Sequence, residues 1–208
     1  MPPFDSTEGD RPRVSSHLSR GTLLKGSIAG LGALAGAAVG TTELAASPDA
    51  HGSAATDKEI LTFGLLIERL QAAFYAEALR SAHLTGEVHQ FAQVVGGQEQ
   101  EHAKFLESAL GSAAGNSPHF KFGDAVTDPA KFLATAISLE ETGLGVYNGQ
   151  GVNLTPASLA AAAKIVSVEA RHTAWARALA GKLPAPVAVD ATVSVTRAKQ
   201  TFQPFIAS

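Results

Sequence analysis

The chain contains no cysteine among its 208 residues. That absence excludes disulfide bonds, thiolate zinc sites, cysteine-ligated iron–sulfur clusters and catalysis by a thiol, and it is compatible with an oxidising compartment. Charged residues make up only 17% of the chain, and the formal net charge is −3. A chain with so little charge and a slight acidic excess lacks the basic surface that nucleic acids require. We therefore expect no nucleic-acid partner.

The apolar run near the N-terminus is too short to span a bilayer. The uncharged segment Ser27–Gly40 falls below the ~20 residues that a spanning helix needs, so we expect no stable membrane insertion of the mature domain. Its surroundings are typical of an export signal, because basic residues precede the run and small residues suited to cleavage follow it. The basic residues are Arg11, Arg13, Arg20 and Lys25.

Residues 1–50 are therefore predicted to be an export signal and linker, and the mature protein is predicted to be periplasmic or extracellular. The segment "SRGTLLKG" (Ser19–Gly26) resembles the twin-arginine export motif, but Gly21 stands where the second arginine would be. The route of export is left open by this difference. A disordered tail or an uncleaved anchor is the alternative interpretation of these residues.

Four segments after residue 55 have the apolar period of amphipathic helices. The first begins near Thr56, the second covers about Gly86–Leu110, the third runs from Pro129 to a stop at Gly149, and the fourth runs from Pro156 to a stop at Gly181. The turns inside each pair are short, and a loop rich in glycine, serine and proline joins the pairs. The prediction is an all-α fold: a four-helix bundle over residues 51–182, with two antiparallel helix pairs joined by one long crossover, and a C-terminal tail over residues 183–208.

Polar residues recur at regular positions on the helix faces that the period assigns to the core. A glutamate followed seven residues later by a tyrosine occurs on the first and third helices, and Glu-x-x-His occurs on the second and fourth. These residues are Glu68 and Tyr75, Glu99 and His102, Glu140 and Tyr147, and Glu169 and His172. Each element alone is common on helices. Their ordered repetition predicts two related halves around a shared centre.

Four glutamates in a bundle core need compensating positive charge, because burying them alone would cost many kcal/mol. No stripe of lysine or arginine supplies that charge, whereas two divalent cations would balance it. Oxygen-rich ligation with one imidazole per metal suits iron or manganese better than copper or zinc. We therefore predict a site for two Fe or two Mn ions. The six predicted metal ligands are Glu68, Glu99, His102, Glu140, Glu169 and His172.

The two tyrosines of the repeat are candidates for a catalytic role. Tyr75 and Tyr147 each lie two helical turns from a predicted ligand glutamate. Either tyrosine would hydrogen-bond a ligand carboxylate or act as a one-electron donor.

Three stretches of the sequence resemble a known family. "EQEHAKFL" (Glu99–Leu106) is similar to the second-helix motif of ferritins and bacterioferritins, which also share the Glu-x6-Tyr spacing of the first helix. "LEETGLGVYNG" (Leu139–Gly149) and "IVSVEARHTAWAR" (Ile165–Arg177) resemble the exported ferritin-like family that includes desiccation-related proteins. The resemblance covers about Asp57–Gly181. It implies a ferritin-like four-helix bundle whose repeated ligand set binds two iron or two manganese ions.

The resemblance and the complete set of six ligands together favour a redox function over a purely structural one. We expect the dinuclear centre to react with a small oxidant, O2 or H2O2, in ferroxidase, peroxidase or catalase-like chemistry. The alternative is a non-enzymatic stress- or desiccation-related scaffold that binds metal weakly or not at all. Iron storage in a cage is a third hypothesis; no cage interface is readable in the sequence, and homo-oligomerisation stays open.

Overall fold

A computed structural model describes residues 52–207, so the predicted export signal lies outside the described residues. The helices in this range are α1 (Ala54–Ser81), α2 (Gly86–Leu110), α3 (Pro129–Gln150), α4 (Pro156–Leu179) and α5 (Val195–Phe202). The described part of the chain contains no β-strand, only an isolated antiparallel bridge between Phe120 and Ile206. The all-α prediction is confirmed. None of the helices within residues 52–207 is both long and apolar enough to cross a bilayer.

The first four helices form two pairs. α1 packs along α2, and α3 packs along α4. A short turn joins each pair, whereas the crossover from α2 to α3 runs from Gly111 to Asp128 and contains two 3-10 turns. Arg69 of α1 fastens this crossover, because its guanidinium donates to the carbonyl oxygens of Ala114 (3.3 Å) and Gly115 (3.1 Å) and also pairs with Glu107 of α2. The bundle therefore has the predicted arrangement, with two helix pairs joined by one long connection.

Two apolar clusters occupy the two ends of the bundle and leave its middle for polar residues. The larger cluster contains stacked and edge-on aromatic rings, among them Phe74, Phe91 and Phe132, which are fully buried. Full burial of each such side chain contributes about 2–3 kcal/mol of transfer free energy. The smaller cluster at the other end consists of Leu65, Ala103, Leu106 and Ile165. The middle of each helix therefore lies in a dry interior.

The third helix extends beyond its predicted stop at Gly149 to Gln150. Gly149 and Gly145 are required for packing, not for ending the helix. A Cβ atom at Gly145 would lie 2.4 Å from Val193 Cγ2, and one at Gly149 would lie 3.0 Å from the Val193 carbonyl oxygen. The Val193 N–H donates to the Gly145 carbonyl oxygen at 2.8 Å. Because these two glycines have no side chain, the C-terminal tail packs directly against the backbone of α3.

The C-terminal tail, residues 183–208 of the sequence, is only partly packed on the bundle. Residues 183–191 are exposed, but the part after Val193 folds back. α5 buries Ala198 and Phe202 in the larger apolar cluster. The chain then pairs with the crossover, where the N–H groups of Lys121 and Ala207 donate to the carbonyl oxygens of Phe205 and His119, both at 2.9 Å.

Asp57 ties the start of α4 to α1. This buried carboxylate accepts hydrogen bonds from the Thr155 N–H (2.9 Å), the Thr155 hydroxyl (2.5 Å) and the Ser158 hydroxyl (2.5 Å). Thr155, the N-cap residue of α4, makes no side-chain cap of its own, so Asp57 holds the start of that helix through the N–H and hydroxyl of Thr155 and the hydroxyl of Ser158. Burial opposes the ionisation of Asp57, but the hydrogen bonds from Ser158 and Thr155 outweigh it and lower the pKa.

We expect the substitution Asp57→Ala to destabilise the protein by about 2–3 kcal/mol, because it removes three hydrogen bonds to a charged acceptor. Chemical denaturation at neutral pH measures this loss. The matched control is Glu59→Ala, an exposed carboxylate two residues away. A carboxylate with a lowered pKa in the folded protein contributes stability that disappears as the pH falls through that pKa. The difference in free energy of unfolding between Asp57→Ala and wild type should therefore shrink below about pH 4. A loss equal to that of the control would show that Asp57 does not anchor α4.

Candidate metal centre

The six predicted ligands all lie in the interior, between the two apolar clusters. The four glutamates are 0% exposed, His172 is 3% exposed and His102 is 9% exposed. The helical spacing explains this placement, because residues three apart share a face of a helix and the Glu-x-x-His pairs of α2 and α4 both face inward. The ligands are Glu68 of α1, Glu99 and His102 of α2, Glu140 of α3, and Glu169 and His172 of α4.

The six side chains form two overlapping groups whose ligand atoms lie within 4.8 Å of one another. We call the first group the His102 position; it comprises Glu68, Glu99, His102 and Glu169. We call the second group the His172 position; it comprises Glu99, Glu140, Glu169 and His172. Glu99 and Glu169 belong to both groups, which is the arrangement that two bridging carboxylates would have.

Each histidine directs its Nδ1 atom at three carboxylates. His102 Nδ1 lies 3.1 Å from Glu169 Oε1, 3.2 Å from Glu99 Oε2 and 3.4 Å from Glu68 Oε2. His172 Nδ1 lies 2.9 Å from Glu99 Oε1, 3.5 Å from Glu140 Oε2 and 3.7 Å from Glu169 Oε1. Within residues 52–207 the four glutamates pair with these histidines and with no lysine or arginine.

The two tyrosines of the repeat hydrogen-bond ligand carboxylates across the bundle. Tyr75 of α1 donates to Glu140 Oε1 of α3 at 2.5 Å, and Tyr147 of α3 donates to Glu68 Oε1 of α1. Each tyrosine thus contacts the glutamate of the other helix, since the glutamate on its own helix is two turns away. Burial and the adjacent carboxylate raise the pKa of both hydroxyls, Glu140 acting on Tyr75 and Glu68 on Tyr147. Both phenols therefore keep their protons and donate at neutral pH.

The protein groups alone leave the charges of this cluster poorly balanced. Burial, with the charges of Glu140 and Glu68, raises the pKa of Glu99 well above its usual range. Burial, with the charges of Glu99 and Glu68, does the same to Glu169. Burial opposes protonation of His102, but the carboxylates that face its Nδ1 atom, those of Glu169, Glu68 and Glu99, outweigh it and raise its pKa to about 12. The cluster therefore has a strong affinity for positive charge, which protons or metal ions can supply.

Unpaired polar atoms in the cluster test whether metal ions fit it. Five buried carboxylate oxygens have no hydrogen-bond partner among the described residues, and neither does His172 Nδ1. The oxygens are Glu68 Oε2, Glu99 Oε1, Glu140 Oε2 and both oxygens of Glu169. Buried polar groups are rarely left unpaired, because each costs roughly 1–3 kcal/mol or more. Oxygen atoms and imidazole nitrogens converging in this way are the ligands that Fe and Mn prefer, so the residues fit such ions.

Two polar residues beside the cluster were missed from the sequence. Gln98 Oε1 lies 2.6 Å from His172 Nε2, although Gln98 is on the exposed side of α2 and has no periodic signal. Gln71 is fully buried, with both amide atoms unpaired within the described part of the chain, and it faces Gly143 of α3. Gln71 lies between Glu68 and Tyr75 on one helical stripe, so the period of α1 would have identified it.

The family model described as "Ferritin-like domain" matches residues 56–182, which span all of the first four helices except the first residues of α1. A search of the curated proteins finds no match.

Proposed function

The chain belongs to the ferritin-like domain family, and on that basis we propose that it binds two iron or manganese ions and reacts with O2 or H2O2. The observation that carries the proposal is the convergence of unpaired buried carboxylate oxygens from four helices on two histidine nitrogens. Two divalent ions would neutralise four carboxylates that the protein itself does not neutralise. The family match supports the fold that holds them.

Each protein group has a role in this proposal. Glu99 and Glu169 would help to hold both ions, because both residues belong to the two groups of ligands. Glu68 and His102 would complete the His102 position, and Glu140 and His172 would complete the His172 position. When bound, two such ions, each able to change between the +2 and +3 states, would supply two electrons to the oxidant. The protein contributes a dry, charge-balanced interior that fixes the ligands in place.

Tyr75 and Tyr147 hold ligand carboxylates in this proposal. Each hydroxyl donates to one oxygen of Glu140 or Glu68 and leaves the other oxygen, Oε2, directed at the cluster. Hydrogen bonds of this kind fix the orientation of ligands and are worth about 10–100-fold in metal affinity or activity. One-electron donation by either tyrosine is a second role that the same position permits.

The cellular location belongs to the proposal as well. We place the mature protein in the periplasm or outside the cell, because residues 11–49 have the basic, apolar and small-residue order of an export signal. Such a protein would react with oxidants that enter from the environment.

Metal loading followed by oxidation tests the proposed function. We expect the purified chain to bind about two Fe(II) or Mn(II) ions, measured by metal analysis after removal of free ions. The loaded protein should then consume H2O2 or O2 faster than the same metal free in buffer, measured with an oxygen electrode and by absorbance. The control is the double variant Glu99→Gln/Glu169→Gln, which lacks both bridging carboxylates.

Two results would contradict the proposal at different levels. A stoichiometry of fewer than one bound ion per chain would contradict the metal centre and favour the scaffold function. Two bound ions without any faster consumption of oxidant would retain the metal site and remove the redox chemistry.

A further inference from the structure

The two predicted metal positions differ in what holds their histidines. His172 Nε2 lies 2.6 Å from Gln98 Oε1, and its Nδ1 faces three carboxylates. A ring nitrogen that contacts an amide oxygen must carry a proton to donate. Gln98 therefore fixes the tautomer of His172 in which Nε2 carries the hydrogen and Nδ1 has a free lone pair.

His102 has no equivalent partner. No hydrogen bond to its Nε2 is made by any residue in the 52–207 range, and its side chain is more exposed than that of His172, at 11% against 3%. The internal repeat explains the difference. Gln98 directly precedes Glu99, and the residue that directly precedes Glu169 is Val168, whose side chain has no hydrogen-bond acceptor. The repeat therefore places an acceptor opposite one histidine and an apolar side chain at the related position.

We propose that Gln98 is a positioning residue that makes the His172 position the tighter of the two metal positions. The inference rests on the proposed function, since it concerns the ions which that function requires. A hydrogen bond to the distal nitrogen of a ligand histidine fixes the ring and raises its basicity, and its loss costs about 10–100-fold in metal affinity. The first metal ion therefore binds at the His172 position, and the His102 position fills second and exchanges more readily.

Gln98 lies at the surface of α2, so its replacement leaves the core intact. We expect Gln98→Val, which copies the residue at 168, to weaken one class of Mn(II) sites by about 10–100-fold. The second class should keep its affinity. Gln98→Glu retains an acceptor and should restore tight binding. Gln100→Val, an exposed glutamine two residues away, is the matched control.

The reciprocal variant tests a gain of affinity. Val168→Gln supplies the acceptor that His102 lacks, and we expect it to tighten the weaker class toward the stronger one. Isothermal titration with Mn(II) measures both constants, and the EPR spectrum at one equivalent distinguishes a single ion from a coupled pair. His172→Ala and His102→Ala assign the classes, because each should remove the class to which its histidine belongs.

The outcomes separate this inference from the proposed function. If the wild-type protein binds two Mn(II) ions and Gln98→Val leaves both constants unchanged, the positioning role of Gln98 is wrong and the metal centre stands. If Gln98→Val instead lowers the Mn(II) affinity of both classes equally, the proposed difference in affinity between the two positions is wrong. If the wild-type protein binds neither Mn(II) nor Fe(II), the proposed function fails and this inference fails with it.

Discussion

The Glu99→Gln variant should be more stable than wild type when both proteins are stripped of metal, and less stable when both are supplied with Mn(II) or Fe(II). Glu99 is fully buried among three other carboxylates, and Glu140 and Glu68 oppose its ionisation. Glutamine has almost the same shape and carries no charge. At neutral pH, folding must either bury the charge of Glu99 or bind a proton that the unfolded chain releases. The proton uptake costs about 1.4 kcal/mol for each pH unit above the unfolded pKa, and glutamine avoids this cost. For a chain of this length each kcal/mol changes the Tm by about 2–4 °C.

The metal-dependent half of this prediction follows from the position of Glu99. Because Glu99 belongs to both ligand groups, its loss should weaken the binding of both ions. Glu140→Gln should weaken the binding of only the ion at the His172 position. Wild type gains stability from bound metal by mass action, and about 100-fold excess over the Kd is worth about 2.7 kcal/mol. Glu99→Gln should gain little or none.

Thermal melting with chelator and with added metal measures both halves. The matched control is Glu101→Gln, whose carboxylate is 70% exposed on the same helix and pairs with Lys104. The control should melt like wild type in both conditions. A stripped Glu99→Gln protein that is less stable than stripped wild type would mean that the glutamate is already compensated by the protein, and the need for cations would disappear.

The second large effect is a loss of stability of the stripped protein as the pH rises. The pKa values of Glu99 and Glu169 lie well above their usual range, and that of His102 is raised to about 12. A raised native pKa means that the folded protein retains protons that the unfolded chain releases. The stabilisation is complete below the unfolded values, near 4.5 for glutamate and 6.5 for histidine, and falls as the pH rises above them.

The slope of this effect is about 1.4 kcal/mol per pH unit for each proton that differs between the folded and unfolded chains. Denaturation of the stripped protein between pH 5 and pH 9 should therefore show steadily falling stability. Glu68, whose pKa is lowered by its contacts with His102 despite burial, contributes only in acid and does not reverse the trend. Metal ions would replace the protons, so the loaded protein should lose less stability over the same range and should release protons on binding.

A matched variant isolates the cluster. Glu99→Gln/Glu169→Gln removes two of the groups with raised pKa values, and its stability should vary less with pH than that of wild type. Stability of the stripped wild-type protein that is constant or rises between pH 6 and pH 9 would show that the cluster carries no excess protons.

The family and the bundle could be predicted because they depend on local patterns. Apolar period, proline at the first helical positions and one loop rich in turn residues determined the helices, and the repeated Glu and His spacings identified the residues that now lie together in the core. The family match and the helical architecture confirm that part. The role of these glutamates and histidines as metal ligands remains a prediction.

The rest depended on contacts between distant segments. Gly149 resembles a helix stop in sequence, but it is a packing position for Val193, and nothing local in the tail indicates where Val193 lies. Gln98 is on an exposed face, so only the position of α4 reveals that it reaches His172. Asp57 is different, because it lies one turn before Leu61 on the buried stripe of α1 and the helical period alone would have identified it.

Anomalous scattering from crystals grown with Mn(II) tests most directly whether buried carboxylates from four helices hold two ions. We predict two peaks, about 3.5–4 Å apart, both between Glu99 and Glu169, with one peak next to His102 and the other next to His172. Crystals without a peak in the bundle, in which Glu68, Glu99, Glu140 and Glu169 retain these positions with only protons or water between them, would contradict the metal centre.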